Sequence, residues 1–144
     1  MSTDSATMDN KFVRELLGDH SRNPRNYGEL PSPDITAEMT NPQCVGPTHP
    51  DGARVRLQAT LSDDKTTVET VRFTGDGCTL SQAGGSLLSE QMVGTAVAEI
   101  IEWDSEYIEE CVGMALTPSR LQCAELILTA FRQAVDDERT DRPR

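Results

Sequence analysis

The hydrophobic period of this chain changes at Thr79, and this change constrains the fold more than any other feature. Before Thr79, three runs alternate apolar and polar residues, as half-buried strands do: 35–39, 53–61 and 68–75. After Thr79, apolar residues recur at helical spacing. The turn-forming residues 62–65 indicate a hairpin between the second and third runs. Three strands followed by helices predict an α+β domain, with several helices packed against a three-stranded antiparallel sheet.

The same spacing rules predict where the helices lie. We expect them at 8–20, 79–94, 95–104 and 120–135. Asp9 or Asn10 is a candidate cap for the first helix, because their short side chains accept hydrogen bonds from the free N–H groups at a helix start. A chain of 144 residues is long enough for a single core, so residues 1–144 are expected to form one domain. Its ends, 1–8 and 137–144, are expected to be flexible.

The balance of charge limits the partners of the chain. Twenty-four acidic residues oppose thirteen basic ones, which gives a net charge of −11. Such a surface repels phosphate backbones, so no nucleic-acid partner is expected. The sequence has no apolar run long enough for a transmembrane helix, and its first residues, MSTDSATMDNKF, lack the basic and apolar segments of a secretory signal. We therefore expect an acidic cytoplasmic protein that does not contact membranes.

The four cysteines are dispersed along the chain. No two form a C-x-x-C pair, which excludes a compact zinc ribbon, and disulfides are not expected in a cytoplasmic chain of this size. Cys44 lies in the proline-rich loop after the first strand, Cys78 at the turn after the third, and Cys123 near the start of the last helix. The loop and the turn lie at the same end of the predicted sheet. Because each of the three thiols is close to the end of a strand or helix, they can meet there. Cys111 follows Ile108 on a helical face and is interpreted as a small core residue.

Cys78 stands between a glycine turn and a helix start, in the stretch GDGCTLSQAGGS. Free N–H groups and the helix dipole favour a thiolate at such a position, so the pKa of Cys78 is expected to be lowered. Asp51 and His49, in the same loop as Cys44, can supply an oxygen or nitrogen ligand to a metal. His20, at the end of the first predicted helix, is interpreted as a surface or capping group.

Four segments, in order along most of the chain, resemble the motifs of one protein family: HSRNPRNYGEL, NPQC, GDGCTLSQAGGSLL and PSRLQCAEL. They are similar to the signature segments of the IscU/SufU/NifU-type iron–sulfur cluster assembly proteins. The resemblance implies a SufE/IscU-like fold, in which Cys44, Cys78 and Cys123 are the sulfur ligands of one exposed site. It also implies an aspartate ligand after the first cysteine, for which Asp51 is the candidate. A Pro-Thr-His-Pro insertion before this aspartate makes His49 a rival.

By this resemblance, the chain is expected to be an iron–sulfur cluster assembly scaffold. Such a scaffold accepts iron, and sulfur from a cysteine desulfurase, builds a transient [2Fe–2S] cluster and passes it to an acceptor protein. No catalytic residue is assigned in that role. The alternative is a SufU-type zinc-dependent sulfurtransferase that carries sulfur for the desulfurase, with Zn²⁺ at the same site. A third hypothesis is a structural zinc-binding module without sulfur chemistry.

Several departures from the family pattern bear on these alternatives. Gln122 stands where IscU-type members have a histidine, which weakens the scaffold hypothesis. It also stands where SufU-type members tend to have a basic residue, and the chain between Cys78 and Cys123 has no obvious room for their insertion, which weakens the transferase hypothesis. The A-S-x-S of the family signature is Ala83-Gly84-Gly85-Ser86 in this chain, so two glycines lie inside the predicted helix. Each glycine inside a helix costs about 1 kcal/mol relative to alanine, which indicates close packing or a loosened first turn.

Overall fold

The computed structural model of the chain describes residues 3–47 and 49–141. Within these ranges it contains six helices and three strands: α1 Thr3–Arg22, β1 Ile35–Asn41, β2 Ala53–Leu61, β3 Val68–Asp76, α2 Thr79–Met92, α3 Val97–Ile100, α4 Ser105–Val112, α5 Pro118–Ala124 and α6 Leu126–Asp141. This order confirms the predicted α+β fold, in which the strands of the sheet precede most of the helices. In the part of the chain described, no helix combines the length and the apolar character needed to cross a membrane.

The three strands form one antiparallel sheet in the order β1-β2-β3, with β2 in the centre. Side chains alternate between the two faces of a strand, and along β2 this alternation buries Val55, Leu57 and Ala59. Leu57 lies opposite Phe73 of β3, which is also fully buried. The period-two pattern of the sequence therefore corresponds to the face of the sheet that carries the core.

The register of the sheet decides which strand ends are neighbours. Asn41, the last residue of β1, lies opposite Ala53, and Arg54 lies opposite Asp76, the last residue of β3. The loop after β1 and the turn after β3 therefore emerge side by side, as predicted. The predicted hairpin at 62–65 is also present, at the other end of β2, where Lys65 donates its N–H to the Ser62 carbonyl at 2.8 Å.

The helix α2 has a central place in the packing. It contacts α1, α5, α6 and β3, while α6 packs along β1 and β2. Together these elements enclose an apolar core that includes Leu57, Phe73, Leu88 and Phe131, all of them fully buried. The N-terminal end of α2 is consequently held from several sides, and Cys78 lies at that end.

Gly84 and Gly85 of α2 allow its neighbours to approach closely. A Cβ atom added at Gly84 would lie 2.9 Å from the Cα of Ala124 and closer still to the carbonyl oxygen of that residue. A Cβ atom added at Gly85 would lie 2.7 Å from the ring of Phe73. Both separations are shorter than carbon atoms tolerate, and α2 runs unbroken from Thr79. Of the two explanations open at the sequence level, close packing is confirmed.

The first helix is longer than predicted. It begins at Thr3, so Asp9 and Asn10 lie inside it, and the prediction that one of them caps the helix is wrong. The prediction of flexible ends at 1–8 and 137–144 stays a prediction: α1 and α6 extend into both segments, and residues 1, 2 and 142–144 lie outside the described part of the chain.

Two further helix predictions need correction. Of the helix expected at 95–104, only the four-residue α3 is present, and α4 follows as a separate helix. The helix expected over 120–135 is two helices, because Glu125 leaves the helical conformation with φ −94° and ψ 8°. No proline or glycine marks this break in the sequence. It lies next to the close contact between Ala124 and Gly84, so tertiary packing accounts for it.

His20 is buried, and its interpretation as a surface or capping group is wrong. It is 5% exposed, and its Nδ1 atom lies 2.6 Å from the hydroxyl oxygen of Ser86 in α2. The same oxygen also accepts the N–H of Arg25 at 2.8 Å, so Ser86 holds both residues. Burial, and then the nearby Arg25 charge, lower the pKa of His20, against weaker opposing effects of Glu90 and Asp19. A neutral imidazole therefore joins α1 to α2.

This contact predicts a stability that depends on pH. Since the folded pKa of His20 lies below its ordinary value, the unfolded chain takes up a proton first as the pH falls. Stability is therefore lost as the pH falls below about 6.5. We expect the urea midpoint of the wild type to fall more between about pH 7.5 and 5.5 than that of His20→Gln, whose amide can accept the Ser86 hydroxyl but does not titrate. An equal pH dependence in the two proteins would contradict this prediction.

Candidate metal centre

Three of the four cysteines meet at the edge of the sheet where β1 and β3 end. The sulfurs of Cys44, Cys78 and Cys123 all lie within 4.8 Å of one another. This confirms that the three dispersed thiols converge in the fold. Cys111 does not belong to this group: it lies in α4, half-buried, and packs against the apolar core.

A turn at the end of β1 positions Cys44. In the segment NPQC, the N–H of Cys44 donates to the carbonyl of Asn41 at 3.1 Å, which closes the turn. Pro42 favours this geometry, because its fixed φ suits the second position of a β-turn. The side chain of Asn41 adds a second hydrogen bond, since its Oδ1 atom accepts the N–H of Gln43 at 3.2 Å. A four-residue motif thus places the first thiol.

Cys78 is the N-cap residue of α2, as predicted, with an extended backbone (φ −77°, ψ 172°). Its carbonyl accepts the N–H of Gln82 at 3.1 Å and the hydroxyl of Ser81 at 3.0 Å, so the start of the helix is well bonded. Burial alone raises the pKa of this thiol. The backbone N–H of Ser81, the thiol of Cys44 and the backbone N–H of Leu80 outweigh that effect, and the pKa of Cys78 is lowered. The direction of this shift agrees with the expected lowering of the pKa.

The short helix α5 presents Cys123. Thr117 caps α5 by accepting the N–H of Arg120 at 3.4 Å, and Pro118 occupies the first turn, where its missing N–H does no harm. The Cys123 side chain is buried, and its sulfur faces the Nδ2 atom of Asn41 at 3.6 Å. Burial, and then the neighbouring thiol of Cys44, raise the pKa of Cys123.

The three sulfurs cannot all be ionised unless a cation lies between them. Burial raises the pKa of Cys44 as it does that of Cys123, so a first thiolate forms most readily on Cys78, whose pKa is lowered. Further thiolates within 4.8 Å would repel it. A divalent metal displaces the thiol protons and removes this repulsion. Thiolate donors suit Zn²⁺ or iron, and a tetrahedral ion with bonds of about 2.3 Å would hold the sulfurs about 3.8 Å apart. The donor set therefore fits such an ion after movements of about 1 Å.

The sulfurs line a cleft of about 370 Å³. Side chains from the NPQC turn, the start of α2 and α5 complete its walls: Asn41, Gln43, Thr79, Leu80, Ser119, Arg120 and Gln122. Cys78 is only partly buried, so the cleft is open to solvent at this thiol. A metal held here would remain accessible to another molecule.

The structure separates the two candidates for a fourth ligand. The Nε2 atom of His49 lies 3.9 Å from the sulfur of Cys44, and the imidazole is buried against Gly46, where an added Cβ atom would lie 2.8 Å from it. Asp51 is exposed, and neither Asp51 nor His49 belongs to the group of atoms that lie within 4.8 Å of one another. It lines a neighbouring cleft together with His49 and Arg54. Of the two candidates, His49 is the one that contacts a sulfur of the site.

Asn41 is a residue of the site that the sequence analysis did not single out. It closes the turn that carries Cys44 and contacts the sulfur of Cys123. A local signal was available, because asparagine followed by proline is a typical start of a β-turn. The contact with Cys123 was not visible, because the two residues are distant in the chain.

The comparisons with known proteins agree with this site. The family model described as the NifU-like N-terminal domain matches residues 13–142. The chain belongs to this family. The match includes the three cysteines that converge at the sheet edge, so the resemblance stated from four short segments is confirmed over most of the chain.

Two curated relatives of this NifU-like N-terminal domain represent the two functional types considered above. The chain is 30% identical to the zinc-dependent sulfurtransferase SufU of Bacillus subtilis, over 93% of this chain and 95% of that protein. It is 25% identical to the iron–sulfur cluster assembly scaffold protein IscU of Streptococcus pyogenes, over 88% of this chain and 84% of that protein.

Solved structures support the fold of this NifU-like N-terminal domain. A NifU-like N-terminal structure from Brucella abortus superposes with a TM-score of 0.68 at 16% identity, covering 89% of this chain and 94% of that one. A candidate scaffold for the SUF system from Fervidobacterium islandicum gives a TM-score of 0.65 at 21% identity, covering 84% and 94%. At such low identities, these likenesses establish the architecture alone.

Proposed function

We propose that this NifU-like N-terminal domain is an iron–sulfur cluster assembly scaffold. The observation that carries the proposal is the convergence of three cysteine sulfurs within 4.8 Å in an accessible cleft. Iron and sulfur are its substrates: a cysteine desulfurase supplies the sulfur, and a [2Fe–2S] cluster forms between the thiolates. The scaffold role of the IscU relative supports this assignment.

The composition of the site suits a cluster that is bound temporarily and then transferred to an acceptor protein. Ferredoxin-type proteins hold their clusters with four cysteines, whereas this cleft offers three. The cluster needs a fourth ligand of a different kind, and that bond can be exchanged for one from an acceptor protein. Cys44 lies in a loop turn and Cys78 at a helix end, both partly exposed, so an acceptor can reach the cluster from solvent.

We propose His49 as the fourth ligand, with Asp51 as the alternative implied by the family resemblance. The contact of its imidazole with Cys44 supports this choice, whereas Asp51 is exposed and lines a neighbouring cleft. About 10–16 kcal/mol of zinc binding, shared among four ligands, gives about 3 kcal/mol each, or about a hundredfold in affinity. We expect His49→Ala to weaken Zn²⁺ binding by about that factor and Asp51→Ala to change it only a few-fold, in competition with a chromophoric chelator. A larger loss in Asp51→Ala would assign the aspartate instead.

The second candidate function is a zinc-dependent sulfurtransferase that carries sulfur for a desulfurase. The identity with SufU over nearly the whole of both chains favours this alternative. The donor set fits zinc as well as iron. In that role Zn²⁺ would organise the site, and one cysteine would be released from the metal to receive sulfur.

One preparation separates these functions. The purified protein is incubated anaerobically with ferrous iron, cysteine and a cysteine desulfurase, and its visible spectrum, metal content and desulfurase turnover are recorded. A cluster chromophore with bound iron supports the scaffold. Tightly bound zinc and faster desulfurase turnover without a chromophore would replace the scaffold with the transferase. Tightly bound zinc with neither effect would leave a structural zinc module.

A further inference from the structure

The side chain of Asn41 bridges two of the cysteine positions and is held in one orientation. It ends β1, is 8% exposed, and lies with Nδ2 3.6 Å from the sulfur of Cys123. Its Oδ1 atom accepts the N–H of Gln43, so the oxygen must face the turn and the NH₂ group must face the sulfur. The separation suits an N–H···S hydrogen bond, which is longer than one to oxygen because sulfur is larger.

We propose that Asn41 is a positioning residue that sets how strongly the Cys123 sulfur donates electrons to a bound metal. The inference rests on the proposed metal site. An N–H group that points at a thiolate withdraws electron density from it and holds it in place, and hydrogen bonds to ligand sulfurs are among the features that set the properties of iron–sulfur and zinc centres. The carbonyl of Asn41 also accepts the N–H of Cys44, so one residue orients two ligands.

The two contributions of Asn41 can be separated by substitution. Any residue at this position retains the backbone carbonyl that bonds to Cys44. Asn41→Asp also retains an oxygen that can accept the N–H of Gln43, but it loses the N–H that faces sulfur. Asn41→Ala loses both side-chain contacts and adds no charge. The two variants share only the loss of the N–H···S bond.

Cobalt(II) is a suitable probe, because it takes tetrahedral thiolate sites and gives thiolate-to-metal charge-transfer bands. Loss of the N–H···S bond raises the energy of the sulfur electrons, so we expect the band to move to lower energy in both Asn41→Ala and Asn41→Asp. The Zn²⁺ affinity of Asn41→Ala is expected to fall about tenfold. The control is Gln43→Glu, which adds a charge on an exposed side chain at the rim of the same cleft and leaves the Asn41 amide unchanged.

The outcomes test the role of Asn41 separately from the proposed metal site. Band shifts in both Asn41 variants and none in Gln43→Glu support the inference. A shift confined to Asn41→Ala would mean that the residue acts through the turn alone, and equal shifts in Asn41→Asp and Gln43→Glu would reduce the effect to charge. Either result overturns the inference and leaves the metal site standing. A wild-type protein with no thiolate-to-cobalt band would overturn the metal site itself.

Discussion

Replacement of Cys78 by alanine is expected to abolish cluster formation and to weaken Zn²⁺ binding at least about a hundredfold. Cys78 is the thiol of the group that loses its proton most readily, since its pKa is lowered while those of Cys44 and Cys123 are raised. Its removal leaves two protonated thiols, one of them buried, and metal binding would have to displace both protons. The measurements are the visible spectrum after anaerobic reconstitution and a zinc competition titration.

Cys111→Ser is the matched control for this variant. Cys111 is also a half-buried free thiol, but it lies in α4, outside the group of converging sulfurs. Burial raises its pKa, so it offers no competing thiolate at neutral pH. We expect the serine variant to retain the chromophore and the zinc affinity of the wild type. A loss of metal in Cys111→Ser equal to that in Cys78→Ala would contradict the ligand assignment.

Gly84→Ala is expected to destabilise the protein by about 2 kcal/mol, although alanine is the better helix former. The intrinsic preference for alanine is about 1 kcal/mol in a free helix. At Gly84 the new Cβ atom would lie 2.9 Å from the Cα of Ala124 and still closer to its carbonyl oxygen, and backbone atoms cannot move aside as a flexible side chain can. The free-energy cost of this steric clash is therefore expected to exceed the gain from the higher helix propensity of alanine. Because α2 carries Cys78 and α5 carries Cys123, separation of the two helices should also weaken zinc binding.

Gly18→Ala provides the comparison, because Gly18 also lies inside a helix. The nearest atom to its added Cβ is the guanidinium of Arg22 at 3.0 Å, which is the far end of a flexible side chain. We expect this substitution to be neutral or to stabilise the protein by up to about 1 kcal/mol. Urea unfolding of both variants measures the difference. Equal effects at the two positions would show that the contact between Gly84 and Ala124 carries no cost for a side chain.

Features that depend on neighbouring residues could be predicted from the sequence alone. The strands were predictable because alternating side chains point to opposite faces, as Val55, Leu57 and Ala59 do. The location of Cys78 at a helix start followed from the glycine turn and the change of period beside it. The convergence of Cys44 with Cys78 also required the pairing of the strands to be predicted. Antiparallel pairing of β1 and β3 with β2 places the ends of β1 and β3 at the same end of the sheet.

Other features depended on contacts between residues far apart in the chain, and only the tertiary structure decided them. The helical period continues through Glu125, so the break there follows from the contact of Ala124 with α2 and has no local signal. The burial of His20 required Ser86 of α2 to lie opposite it. Periodicity reports which face of an element is apolar, but it does not report which element covers that face.

The same distinction between local and long-range contacts applies to the metal centre. The sequence by itself determined the three thiols, the elements that carry Cys44 and Cys78, and the lowering of the pKa of Cys78, because local motifs place these two residues. Cys123 was expected near the start of the last helix, but it lies near the end of the separate helix α5. The tertiary structure decided how the surrounding groups meet: His49 beside Cys44, and the amide of Asn41 against Cys123. The physical reason is that a hydrogen bond or a ligand contact acts over a few ångströms in space. Only the folded chain brings residues from β1 and α5 within that distance.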